Sequence, residues 1–183
     1  MAEVDARRLK SLVEGRIRRA GIVWSHVHGW AEEGKVQVRE VGKGSIRVQC
    51  NYPAYKVLGE GMEPPRWRKS NLEPAFFMAA QIVRLLFYKV SVVKFNTVRV
   101  DVYATFWISE RRRSERCILT TTASREQADA ILWSSMEHVP ERALSYFQTH
   151  YHRGPRGEIH SIQLDDELYR PEPPEVSRLK WRF

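Results

Sequence analysis

The residues best equipped for chemistry in this chain are cations set beside aromatic rings, and a group of histidines. Arg66-Trp67-Arg68-Lys69 interleaves an indole with positive charge, a pattern that stacks on bases while its cations meet phosphates. A tryptophan closing the rim of a core among solvated arginines has the same composition, so the tetrapeptide supports both readings. Arg111-Arg112-Arg113 lies inside Ser109 to Glu115, which reads as a hairpin loop. Arginines at such a tip suit phosphate contact, and equally keep a sheet edge soluble. Arg16 and Arg19, on a basic helix face, complete the candidate nucleic-acid-binding set.

His150, His152 and His160 straddle Gly154-Pro155-Arg156-Gly157, with Glu158 close by. Imidazoles bind metals such as zinc, but loop spacing of this kind specifies no site. The three histidines stand as secondary metal candidates, and no metal or other cofactor is expected. His26 and His28 form a His-x-His pair without a neighbouring Cys or acidic cluster. There is no Gly-rich phosphate loop, no Gly-x-Ser-x-Gly and no His-Glu-x-x-His. Cys50 and Cys117 each sit in strand-like apolar sequence, where thiols are buried and inert. The expectation is a protein that is not an enzyme.

These groups must be positioned by a fold, and its centre is a helix followed by a strand. In residues 72–88, Phe76, Ala80, Val83 and Phe87 repeat on one face, and Phe77, Ile82, Leu85 and Leu86 leave little polar side. A helix apolar nearly all round is a buried one. Pro74 must fall among the first three helical amides; Asn71 as N-cap places it third, with Glu73 near the positive helix end. From Val98, the residues Val98, Val100, Val102, Ala104 and Phe106 alternate with Arg99, Asp101, Tyr103, Thr105 and Trp107. That is a half-buried strand whose second face mixes a candidate ion pair with aromatics. The alternation slips around Phe95 to Thr97, which predicts a bulge or bend near Asn96.

Val36 to Glu40 and Ser45 to Tyr52 read as a hairpin joined by Val41-Gly42-Lys43-Gly44, with Ile46, Val48 and Cys50 inward and Arg47 and Gln49 outward. Residues 53–70 are a connection broken by prolines and glycines. Further on come a strand over 116–122 and a helix from Arg125 capped by Ser124, with Gln127 completing a capping box. Pro140 starts another helix carrying Ala143, Leu144 and Phe147, and 158–164 reads as a last strand. Near the start, 6–20 is an amphipathic helix ended by Gly21. Its apolar stripe is Leu9, Leu12, Val13 and Ile17, and Arg7, Arg8, Lys10, Arg16, Arg18 and Arg19 dominate the rest.

The expected fold is α+β. A mostly antiparallel sheet of about five strands (36–40, 45–52, 93–107, 116–122 and 158–164) packs on a central buried helix, with flanking helices. One domain fills 1–165, and 166–183 is an extended Pro-rich tail that docks on a partner. The chain has 183 residues, 43% of them hydrophobic, with net charge +8 and pI ≈ 9.7. That balance fits a globular domain with an acidic partner, nucleic acid first among them. No apolar run has membrane length and no N-terminal signal pattern is present, so a cytoplasmic protein without a membrane partner is expected.

The order of short motifs resembles one bacterial family. Ser45-Ile46-Arg47-Val48-Gln49 leads into Tyr52-Pro53, then Arg66-Trp67-Arg68-Lys69, then the long helix. Val93-Lys94-Phe95-Asn96, Cys117-Ile118-Leu119-Thr120, Ser124-Arg125-Glu126-Gln127 and His138-Val139-Pro140-Glu141-Arg142-Ala143-Leu144 follow. The sequence from 45 to 164 is similar to the domain that precedes the nuclease in actinomycete Mrr-type restriction endonucleases. The nuclease of that family carries an Asp and a Gln-x-Lys motif. This chain has no Gln-x-Lys, and its Glu33-Gly34-Lys35 lacks a preceding strand with an acidic partner. The resemblance therefore implies the non-catalytic module, associated with DNA-directed defence. The leading expectation is an accessory protein of a bacterial defence or DNA-processing system that binds nucleic acid, DNA above all. The alternatives are a subunit that docks a separate nuclease or ATPase through its tail, and a histidine-metal enzyme.

Overall fold

A computed structural model of the chain describes residues 7–17, 19, 36–51, 72–90, 94–109, 112–136, 139–153 and 159–164. Helix α1 covers 7–17. It is followed by β1 (Val36–Val41), β2 (Ser45–Asn51), α2 (Glu73–Tyr88), β3 (Thr97–Ser109) and β4 (Arg112–Ser124). Three short helices come next, α3 (Arg125–Asp129), α4 (Trp133–Met136) and α5 (Pro140–Leu144), and then β5 (Gln148–Arg153) and β6 (Ile159–His160). The class is α+β, as the sequence indicates.

The strands lie in sequence order, β1-β2-β3-β4-β5-β6. β2 and β3 run parallel and the other ladders are antiparallel. Parallel neighbours need a long crossover, and the segment carrying α2 supplies it. Gly44, at φ +84, closes the β1–β2 turn in a conformation that favours glycine. Its carbonyl accepts the Asn96 and Thr97 amides at 2.7 and 3.1 Å, which sets Ser45 opposite Thr97. The pattern slip near Asn96 therefore marks a bend just before β3. The irregularities of the ladders fall elsewhere, at Val38/Glu40, Val102/Tyr103 and Trp107/Ser109.

One face of the sheet makes the core. Ile46, Val48, Cys50, Val98, Val100 and Val102 are buried there, together with ten residues of α2 and with Val13 and Ile17 of α1. At about 25 cal/mol per Å² of apolar surface, each large side chain so buried contributes about 1.5–3 kcal/mol.

Several expectations need correction. Leu72, not Asn71, occupies the cap position of α2, without a side-chain cap, and Pro74 falls within the first two helical residues rather than the third. The Phe76 amide closes the first turn on the Leu72 carbonyl at 3.0 Å. The β3–β4 connection is not a loop over Ser109 to Glu115. Ser109 pairs with Arg112 and Trp107 with Arg113, so only 110 and 111 separate the strands. A two-residue link lets the ladder run on to its end. β5 has no counterpart among the expected strands, because its six residues, Gln148–Arg153, include no aliphatic side chain. The predicted strand over 158–164 shrinks to the two residues of β6. The capping box at Ser124 is present, with the Gln127 amide donating to Ser124 Oγ at 3.2 Å and the Ser124 amide to Gln127 Oε1 at 2.9 Å.

Candidate functional site

The position of α1 follows from its apolar stripe. Val13 and Ile17 are buried in the core and Leu9 packs against it, which fixes the rotation of the helix. Glu14 Oε1 accepts the Val38 amide at 2.9 Å and so ties the helix to edge strand β1. With that face held, Arg8, Lys10, Arg16 and Arg19 are exposed. At 3.6 residues per turn, Arg8, Arg16 and Arg19 fall within an arc of about 80°. Arg19 Nε also donates to the Gly15 carbonyl at 3.2 Å, which turns that side chain back along the helix.

A second group of charges lies on the sheet face turned away from α2. Asp101 is only 1% exposed, and three donors converge on it: Arg47 Nε at 2.6 Å, Arg99 Nε at 3.0 Å and Thr120 Oγ1 at 2.6 Å. The network continues through Arg39 Nε to Gln49 Oε1 at 2.6 Å, and from Asn51 Nδ2 to Glu115 Oε1 at 3.1 Å. Arg47 and Gln49 do lie opposite the core residues of β2, but they are nearly buried, 11% and 7% exposed, rather than solvated. A carboxylate held by two guanidinium groups and a hydroxyl is a structural tie, since its acceptor sites are already engaged. Asp101 is legible in the sequence only as a candidate ion-pair partner; its place across the ladder from Arg47 needs the strand order.

The thiols are not nucleophiles. Burial, then the nearby Asp101 charge, pushes the Cys50 thiol far up from its ordinary range. The same causes push Cys117 up to about 12, and its Sγ donates to the Leu119 carbonyl at 3.3 Å. A recess between α2 and α5, lined by Phe77, Ala80, Gln81, Arg84, Trp133, Pro140 and Ala143, leaves about 10 Å³, room for about one water molecule.

The histidines fall on strands rather than in a loop. His150 pairs with Thr120 of β4, and His152 pairs with His160 of β6. Thr149 and Tyr151 alternate to the other face: Thr149 Oγ1 donates to the Leu144 carbonyl at 2.9 Å, and the Tyr151 ring lies 4.9 Å from that of Phe76. Among the described residues, no three His, Cys, Asp or Glu side chains stand ready to hold a metal ion. Arg66, Trp67, Arg68, Lys69 and Arg111 lie outside the described residues, as do His26 and His28 and the tail. Arg112 and Arg113 belong to the backbone ladder of β4. Of the predicted set, Arg16 and Arg19 share an exposed surface, and Arg8 and Lys10 join them.

Among the described residues, no helix is long and apolar enough to cross a membrane. The chain matches no protein-family model, no curated protein and no solved structure.

Proposed function

We propose that this protein is a non-catalytic nucleic-acid-binding accessory of a bacterial defence or DNA-processing system, working on DNA in the cytoplasm. The observation that carries the reading is α1: a helix locked by Val13 and Ile17 with Arg8, Lys10, Arg16 and Arg19 exposed. Such a surface meets phosphates along a backbone without reading bases. The net charge of +8 adds long-range attraction to a polyanion. Arg66, Trp67, Arg68, Lys69 and the arginines at 111–113 extend the proposed interface. The likeness in motif order to the domain beside the Mrr-type nuclease supplies the defence context.

The test is a fluorescence-anisotropy titration of a labelled duplex with wild type and with Arg8→Ala/Lys10→Ala/Arg16→Ala/Arg19→Ala. Each phosphate left without its cation makes the log-log salt slope shallower by about 0.9, so the slope of the quadruple variant drops by up to about 3.6 and the variant binds every duplex sequence more weakly. Equal affinity and equal slope would remove α1 from the interface.

A further inference from the structure

The sheet register brings together three histidines that the chain separates by a glycine- and proline-containing segment. His152 and His160 face each other directly across the β5–β6 ladder, and His150 lies two residues along β5. Side chains two apart on a strand share a face. Directly opposed residues hold their Cβ atoms about 4.5–5.5 Å apart. Two imidazoles rooted so can both reach one ion at about 2.0–2.1 Å. We propose that His152 and His160, assisted by His150, bind one borderline divalent cation, Cu²⁺ more tightly than Zn²⁺.

The surroundings suit a cation better than the overall charge suggests. Arg153 alternates to the opposite face, with its guanidinium 5.9 Å over the Phe76 ring and 4.0 Å from Glu141. The neighbour of His150 across the ladder is the neutral Thr120. His150 and His152 are exposed, so their rings turn onto an incoming ion without unpacking the core. Since the three groups do not stand ready as a cage, binding orders them, and affinity falls below that of a preformed structural site. The all-nitrogen donor set decides the metal: imidazole suits Cu²⁺ and Zn²⁺, whereas Mg²⁺ and Ca²⁺ take oxygen ligands. The site is independent of the α1 surface, so each can fail alone.

Electron paramagnetic resonance of the full chain with one equivalent of Cu²⁺ reads the ligands directly, and calorimetry with Zn²⁺ reads affinity. The expected results are nitrogen hyperfine structure from at least two imidazoles and one Zn²⁺ per chain. Altering a group that merely orients a metal ligand costs about 10- to 100-fold. His152→Ala or His160→Ala, which removes the ligand itself, therefore weakens Zn²⁺ binding at least about tenfold, and His150→Ala weakens it less. Arg153→Ala leaves it unchanged. Circular dichroism confirms that each variant is folded, and Mg²⁺ gives no heat. Zn²⁺ affinity in His152→Ala/His160→Ala equal to wild type would overturn the proposal by placing the metal at other groups. A Cu²⁺ spectrum without nitrogen coupling would overturn it as well.

Discussion

The arginines of α1 and the arginines of the sheet carry the same charge into different surroundings. Arg8, Arg16 and Arg19 stand in solvent on a helix whose other side is locked into the core. Arg47 and Arg99 lie on the sheet, 11% and 29% exposed, and converge on a carboxylate that is 1% exposed. The first group can exchange counterions for a phosphate backbone. The second is committed to holding β2, β3 and β4 in register through Asp101 and Thr120. A net charge of +8 therefore overstates the charge offered to a partner, and the location of each guanidinium decides its use.

Removing the carboxylate should separate the two groups most sharply. Asp101→Ala leaves two guanidinium groups without their shared partner. Breaking such a pair costs about 3–5 kcal/mol. Urea unfolding should show that loss, whereas the salt slope of DNA binding, taken where the variant is still folded, should match wild type. A variant as stable as wild type would mean that the network holds nothing together.

The thiols beside Asp101 give a pH-dependent version of the same test. The folded Cys117 thiol keeps its proton up to about 12, against a reference of 9.0, with burial the first cause and Asp101 the second. The unfolded chain ionises first, so the stabilisation is complete below about pH 9 and is lost as pH rises toward about 12. The slope per thiol is about 1.4 kcal/mol per pH unit. Denaturation midpoints should fall over that range, and iodoacetamide at pH 8 should label Cys50 and Cys117 only once urea unfolds the protein. Rapid labelling of the native state would contradict their burial.

The attachment of α1 offers smaller effects. Glu14→Ala orphans the Val38 amide, which Glu14 Oε1 accepts at 2.9 Å. An unsatisfied buried donor costs about 1–3 kcal/mol, and thermal unfolding should show it. Because the mooring loosens while the arginines remain, DNA affinity should fall by less than in the quadruple variant. Gly15 has nothing within 4 Å of an added Cβ. Gly15→Ala should therefore stabilise the protein by about 0.5–1 kcal/mol through helix propensity, seen as a raised Tm with unaltered DNA binding. Destabilisation would indicate a neighbour on that side of the helix.

Patterns with strong periodicity are legible in the sequence. The apolar run of α2 and the alternation from Val98 onward mark the core, and Ser124 with Gln127 marks the start of α3. The stripe of Leu9, Val13 and Ile17 marks the buried side of α1, and so its basic face. What escapes depends on pairing. β5 is read from Gln-Thr-His-Tyr-His-Arg only because β4 offers it an edge. Arg112 and Arg113 join a strand because the hairpin turns in two residues, which no local propensity of Ser-Glu-Arg-Arg-Arg signals. The partners of Arg47 are fixed by parallel pairing with β3, 54 residues away in the chain. The histidine face is hidden for the same reason: His152 and His160 become neighbours only through the β5–β6 ladder.

The salt dependence of DNA binding tests the central claim most directly. Wild type and the Arg8, Lys10, Arg16 and Arg19 quadruple alanine variant would be titrated against one labelled duplex at several salt concentrations. The α1 interface predicts a shallower slope for the variant, by about 0.9 for each phosphate it no longer neutralises, with unfolding free energy changed by about 0.5 kcal/mol or less per exposed site. Superimposable slopes from two folded proteins would contradict it and leave α1 as a helix that covers one side of the core and binds no phosphate.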